Sequence, residues 1–130
     1  MSLYEFHGWF TLWHSSDQVD DEDLVFRRKT ELIALMSGMD WLAGASDVVR
    51  LNGESYLRLH GTVDFSAERL ADIDRILASI GTRLPGSHGL LYERFDDDNA
   101  LAPTGSDPFR VRVMTHGVVQ VQSDPFFAHV

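Results

Sequence analysis

From Leu3 to Trp13 the chain alternates: Tyr4, Phe6, Phe10 and Leu12 fall on one side, and Glu5, His7, Trp9, Thr11 and Trp13 on the other. A period of two with aromatic enrichment predicts a strand. "SSDQVDDED" breaks the alternation and places acid at the start of a helix, where the macrodipole favours it. Val25, Leu32, Ile33, Met36 and Met39 then recur at helical spacing, with Gly44 just past the expected end. "DVVRLNGESYLRLHG" predicts two strands joined at Asn52-Gly53, a strong short hairpin signal. A second helix begins at Ser66, a good N-cap. Phe65 and Leu70 have the spacing of a hydrophobic staple, and Leu70, Ile73, Leu77 and Ile80 form the stripe. Gly81 and Pro85-Gly86 read as its stop.

Three more strands are expected, His88 to Phe95, Pro108 to Thr115 and Val118 to Gln122, the last two joined by His116-Gly117. The order β-α-β-β-α-β-β-β predicts one α+β domain over residues 1–130. Its single, mostly antiparallel sheet carries both helices on one face, a ferredoxin-like core with a hairpin extension.

With helices on one face, the other must present side chains of its own. The expected set is Glu5, His7, Trp9 and Trp13 on the first strand, Tyr56, Arg58 and His60 on the third, and Arg110, Arg112, Met114 and His116 on the fifth. Trp, Tyr, His and Arg combine contact area with polar tips, as recognition surfaces do. The same residues also serve to shield an open sheet.

The chain has 130 residues and no cysteine, and 11 Lys plus Arg face 20 Asp plus Glu for a net charge of −9. A field of that sign repels phosphate backbones and anionic lipids, which argues against nucleic-acid or membrane binding and favours cationic partners. It equally serves solubility. The N-terminus lacks the basic segment and cleavage site of a signal peptide, so a cytoplasmic location is expected.

Catalytic signatures are thin. Glu5 with His7, or Asp64 with His60, offers an acid–base pair, but no Gly-x-Ser-x-Gly, phosphate loop or His-Glu-x-x-His occurs. His7, His60 and His116 lack the spacing that pre-assembles a metal site. Asp96, Asp97 and Asp98, with Glu93 nearby and Phe95 before them, lack the glycine and glutamate of a calcium loop. They suit Lys and Arg on another protein, or are a solvated loop.

"YEFHGWFTL", "PGSHGLLYERFDDDN", "FRVRVMTHG" and "DPFF" occur in that order. Together they resemble the immunity protein 7 family of bacterial polymorphic toxin systems, from Tyr4 to Phe127. The acidic run ends in Asn99, a departure from the family pattern. The resemblance implies a small cytoplasmic α+β protein that binds and neutralises a toxin encoded beside it, with no catalysis and no cofactor. The partner is then a toxin with a basic surface, such as a nuclease or other nucleic-acid-modifying enzyme. Contacts are expected from Asp96, Asp97, Asp98, Glu93, Tyr92, Trp9, Trp13 and Tyr56. The competing reading is a small-ligand-binding or enzymatic domain using His7, Trp9, Arg58 and His60.

Overall fold

The N-terminal alternation becomes strand β1 (Leu3–Leu12) in a computed structural model, which describes residues 2–14, 22–96 and 109–123. Tyr4, Phe6, Phe10 and Leu12 are buried, and His7 and Trp9 are exposed. Helix α1 (Glu22–Ser37) and a 3₁₀ turn (Asp40–Leu42) lead to β2 (Ser46–Leu51) and β3 (Glu54–Asp64). Helix α2 (Ala67–Arg83), β4 (His88–Phe95), β5 (Phe109–Thr115) and β6 (Val118–Ser123) follow. Asn52 and Gly53 both have positive φ, 54° and 81°, as a two-residue hairpin turn requires, and His116 and Gly117 repeat the pattern at 49° and 73°. The expected fifth strand begins at Phe109; Pro108 lies outside the described residues.

The strands form one sheet in the order β2-β3-β1-β4-β5-β6, every neighbouring pair antiparallel. β3 therefore lies between β1 and β2, and β1 lies between β3 and β4. Each helix thus crosses over one intervening strand, which is the split βαβ arrangement read from the sequence. Both helices cover the face that carries Tyr4, Phe6, Phe10, Leu57, Leu59, Leu91 and Phe95. Tyr4 is stacked between Phe6 and Phe95, ring centroids 5.2 Å away in each case.

The helices depart from expectation in three places. α1 ends at Ser37, short of the region before Gly44. There the Gly38 N–H donates to Leu35 O and the Met39 N–H to Met36 O, so the last turn tightens into i→i+3 bonds that run on into the 3₁₀ turn. Met39 is buried, but from outside the helix. Ile33 is 40% exposed, because the core takes Leu32 and the next position lies about 100° further round. Finally, Gly81 does not stop α2. Ser66 caps it as expected, its Oγ accepting from the Arg69 N–H at 3.1 Å, but the helix runs through Gly81 to Arg83 and ends ahead of Pro85.

Gly81 is needed for a close approach. A Cβ there would lie 2.2 Å from the carbonyl oxygen of Gly117, in the β5–β6 turn, and one at Gly117 would lie 3.1 Å from the Cα of Gly81. The Gly117 N–H donates to Ser87 O at 2.9 Å and completes the docking of this turn on the end of α2. Alanine in place of a helix-interior glycine ordinarily stabilises by up to about 1 kcal/mol. Here the sign reverses, since the obstructing atom is backbone. Gly81→Ala is expected to destabilise by about 1–3 kcal/mol, as overpacking does, read as a lower urea midpoint at unchanged m-value.

Candidate functional site

The face opposite the helices is covered by no described element. Two rows of side chains cross it. Register pairs place Arg58, Trp9, Leu90, Val113 and Gln120 side by side across β3, β1, β4, β5 and β6. The next row is His60, His7, Tyr92, Val111 and Gln122. Trp9 is 46% exposed and Tyr92 38%, with half-buried Leu90 and Val113 beside them. Tyr56 lies opposite Thr11 on the same face. Trp13, just past β1, rests edge-on against His88 at 5.0 Å between centroids, and its N–H donates to Ser87 Oγ at 3.0 Å.

Charges on this face pair among themselves. Arg58 donates to both oxygens of Asp47, at 2.9 and 2.6 Å. Arg94 Nε donates to Glu5 Oε1 at 2.9 Å, while Glu5 Oε2 is 3.1 Å from His7 Nε2. These contacts hold the Glu5 carboxyl below its usual range, first through Arg94 and then through His7, and the Arg58 hydrogen bonds do the same for Asp47. The Tyr56 hydroxyl donates to Glu54 Oε2 at 2.8 Å, which raises its pKa. Exposed pairs of this kind contribute little to stability. Their effect is to fix long side chains around the aromatic centre and to cancel local charge.

Three expectations are corrected. Arg110, Arg112 and Met114 do not join this face. They pair in register with Glu93, Leu91 and Gly89, which turns them toward the helices and leaves Phe109, Val111 and Val113 on the uncovered side. His116 lies in the β5–β6 turn, away from His7 and His60, which are register partners. Glu93 is 1% exposed and so is not a surface carboxylate. The gap left by Gly8, beneath Trp9, is filled by neighbouring β4, since a Cβ there would lie 2.8 Å from Leu91 Cδ1.

Glu93 anchors a buried cluster. Its Oε1 accepts from Arg110 Nε and Arg112 Nε, both at 2.7 Å. Its Oε2 accepts from the Tyr4 hydroxyl at 2.6 Å, Arg112 Nη2 at 3.0 Å and Arg110 Nη2 at 3.2 Å. Arg112 Nη1 also bonds Asp74 on α2, and the Arg110 guanidinium stands 5.4 Å from the Phe95 ring centroid. Burial alone would raise the Glu93 pKa. The hydrogen bonds and charges of Arg112 and Arg110 outweigh it, and the carboxyl is held below its usual range. Burial also pushes the Tyr4 hydroxyl up, and adjacent Glu93 adds to the shift. A signal for this cluster was present in the sequence: Glu93 shares the phase of Leu91 and Phe95, whereas Tyr92 and Arg94 share that of Leu90.

Asp96 is also committed. Its Oδ2 accepts from the Leu3 N–H at 2.7 Å, and its own N–H donates to Leu3 O at 3.2 Å. Asp97 and Asp98 lie outside the described residues. The described residues hold 13 acids and all 11 bases of the chain, a net −2. The remaining −7 belongs to segments 15–21, 97–108 and 124–130, which contain no Lys or Arg. The strand ends that flank 97–108, and the one that precedes 124–130, share the edge where β1 begins, since Tyr4 pairs with Phe95, Arg94 with Phe109 and Arg110 with Ser123. Among the described residues, no group of three or more His, Cys, Asp or Glu is placed to hold a metal ion, and no helix is long and apolar enough to cross a membrane.

Fold and face together define a small α+β protein that displays an aromatic, internally neutralised sheet surface. The family model for Immunity protein 7 matches residues 3–130, and the chain belongs to that family. No curated protein and no solved structure matches it. Membership makes it an immunity protein of a toxin system.

Glu93→Gln would leave two buried guanidinium groups short of a counter-charge, and is expected to cost about 3–5 kcal/mol in urea unfolding. Because the folded pKa of Glu93 is depressed, its contribution is fully present above the unfolded value, about 4.3. It is lost as pH falls through the folded value. The stability difference between wild type and Glu93→Gln should therefore be constant near neutral pH and shrink below about pH 4.

Proposed function

We propose that the protein neutralises its cognate toxin by binding it, without catalysis or cofactor, through the uncovered sheet face and the acidic segments that adjoin its strands in sequence. The observation that carries this reading is the aromatic centre of that face, Trp9 and Tyr92, ringed by charges already paired to one another. Partly exposed aromatics fixed on a rigid sheet are what interface hot spots are made of. Tyr56 and Trp13 extend the surface toward the opposite end of β1. Glu93 serves by holding β4 and β5 in register, and Asp96 by tying the chain to Leu3; neither meets the toxin directly.

The acid lying outside the described residues suits steering. Asp97 and Asp98 attract a basic surface and raise the rate of encounter, while the aromatics set the lifetime of the complex. A toxin that acts on nucleic acid needs a cationic cleft for phosphates, and an acidic inhibitor is complementary to it. The complex forms in the cytoplasm, where such a toxin would reach its target.

The alternative, a ligand or active site built from His7, Trp9, Arg58 and His60, gains no specific support. Those groups lie in two rows on an open face, with Arg58 committed to Asp47 and His7 to Glu5. A groove of about 550 Å³ lies elsewhere, between the 3₁₀ turn and the start of α2, and none of the four lines it.

The test is titration calorimetry and stopped-flow association with the toxin encoded beside the protein. Trp9→Ala with Tyr92→Ala should weaken affinity by at least about 2 kcal/mol, chiefly through faster dissociation. Asp97→Asn with Asp98→Asn should slow association at low salt and lose that effect at high salt. Full affinity in the aromatic double variant, with the fold intact, would remove the sheet face from the interface.

A further inference from the structure

The sheet has two outer strands, and they are differently protected. β2 carries Asp47 and Arg50 among its six residues, and Asp47 is bridged to Arg58 on β3. β6, Val118-Val119-Gln120-Val121-Gln122-Ser123, carries no charge and no proline. Among the described residues it pairs on one side only, with β5. Val118 is 64% exposed and Val121 60%, the latter on the same face as its register partner Arg112. An outer strand offers a row of open N–H and C=O groups, and natural proteins ordinarily guard it with charge, proline or a bulge. β2 is guarded by charge. β6 is a β-branched, uncharged strand with none of these devices.

We infer that β6 is an interface whose occupant is β6 of a second copy of this chain, the two strands running antiparallel about a two-fold axis. A two-fold axis perpendicular to the sheet through residue 120 or 121 satisfies the open backbone groups of both copies at once. It also keeps the faces matched. Residues 119 and 121 of both copies then share the helix-covered side, and 118, 120 and 122 share the other. With the axis at 120, Val119 meets Val121, Gln120 meets its own copy and Val118 meets Gln122. With the axis at 121, Val121 meets its own copy and Gln120 meets Gln122, so the pairs nearest the axis join Val to Val and Gln to Gln.

A basic toxin is a poorer fit for β6. An uncharged strand offers it no electrostatic gain, whereas the chain carries its excess acid elsewhere. Charge also fixes the sign of the salt effect. Each copy bears −9, so two copies repel at long range while the seam itself is neutral. Added salt should therefore strengthen self-pairing, opposite to its effect on an acid–base interface. An interface of one strand pair is small, in the class below roughly 1,200 Å² in total area that forms transient complexes.

Sedimentation equilibrium of the full chain, from about 10 µM to about 1 mM in low and high salt, tests this. A monomer–dimer equilibrium whose dimer fraction rises with salt is expected. Val121→Lys should lower the association constant at least about tenfold while leaving the melting temperature unchanged, because the position is exposed and charge guards edges. Leu51→Lys, on the guarded edge β2, should leave association as in wild type. A wild-type chain that stays monomeric to about 1 mM at high salt would overturn the inference. So would a dimer that Val121→Lys leaves intact, or one that Leu51→Lys disrupts equally. None of these outcomes depends on toxin binding.

Discussion

A single carboxylate accounts for how the second half of this sheet is assembled. Glu93 accepts from Tyr4 on β1 and from Arg110 and Arg112 on β5, and Arg112 continues the chain of contacts to Asp74 on α2. Three strands and a helix thus meet around one charge with 1% exposure. Burying it is costly, and the bidentate geometry of two guanidinium groups offsets that cost by satisfying its lone pairs. The cluster also selects register. A one-residue slip of β5 would carry both arginines to the uncovered face and leave Glu93 buried without a counter-charge.

Much of the architecture was legible in the sequence because it rests on periodicity. β1, the Asn52-Gly53 hairpin, the Ser66 cap and the β4 and β6 strands fall where the pattern puts them. The errors share one cause, a local rule overruled by a tertiary partner. In "FRVRVMT" hydropathy assigns Phe109, Val111 and Val113 to the core, or else leaves the phase ambiguous, and only Glu93 three-dimensionally opposite decides it. Gly81 reads as a helix stop until Gly117 is seen packed against it. Ile33 is apolar and adjacent to the stripe, yet the core has room for Leu32. The exposed side of Trp9 was readable from alternation, whereas Tyr92 was named only through the family resemblance and proves to share that face. Among the acidic candidates, Glu93 carried a local signal in the phase it shares with Leu91 and Phe95, whereas nothing local marks Asp96 as the carboxylate that closes onto Leu3.

In the proposed complex, the distribution of charge separates two tasks. The described residues are close to neutral and have their ionic groups paired on the sheet face, which suits a surface that must be desolvated against a partner. The excess acid belongs to residues 15–21, 97–108 and 124–130. Under the proposed function, long-range attraction and short-range fit fall to different parts of one small chain. Each can change with little effect on the other.

The contact between Gly81 and Gly117 bears on how this protein can be altered. Hairpin tips are ordinarily the safest places for added residues, because they are exposed and detached from the core. This tip is wedged between α2 and the carbonyl of Ser87, with less than a side chain's width to spare. Lengthening it would lever β5 and β6 away from the helix. The β5–β6 turn is accordingly a closed site for insertions, epitope tags or circular permutation, although its sequence, His-Gly in a tight turn, looks like an open one.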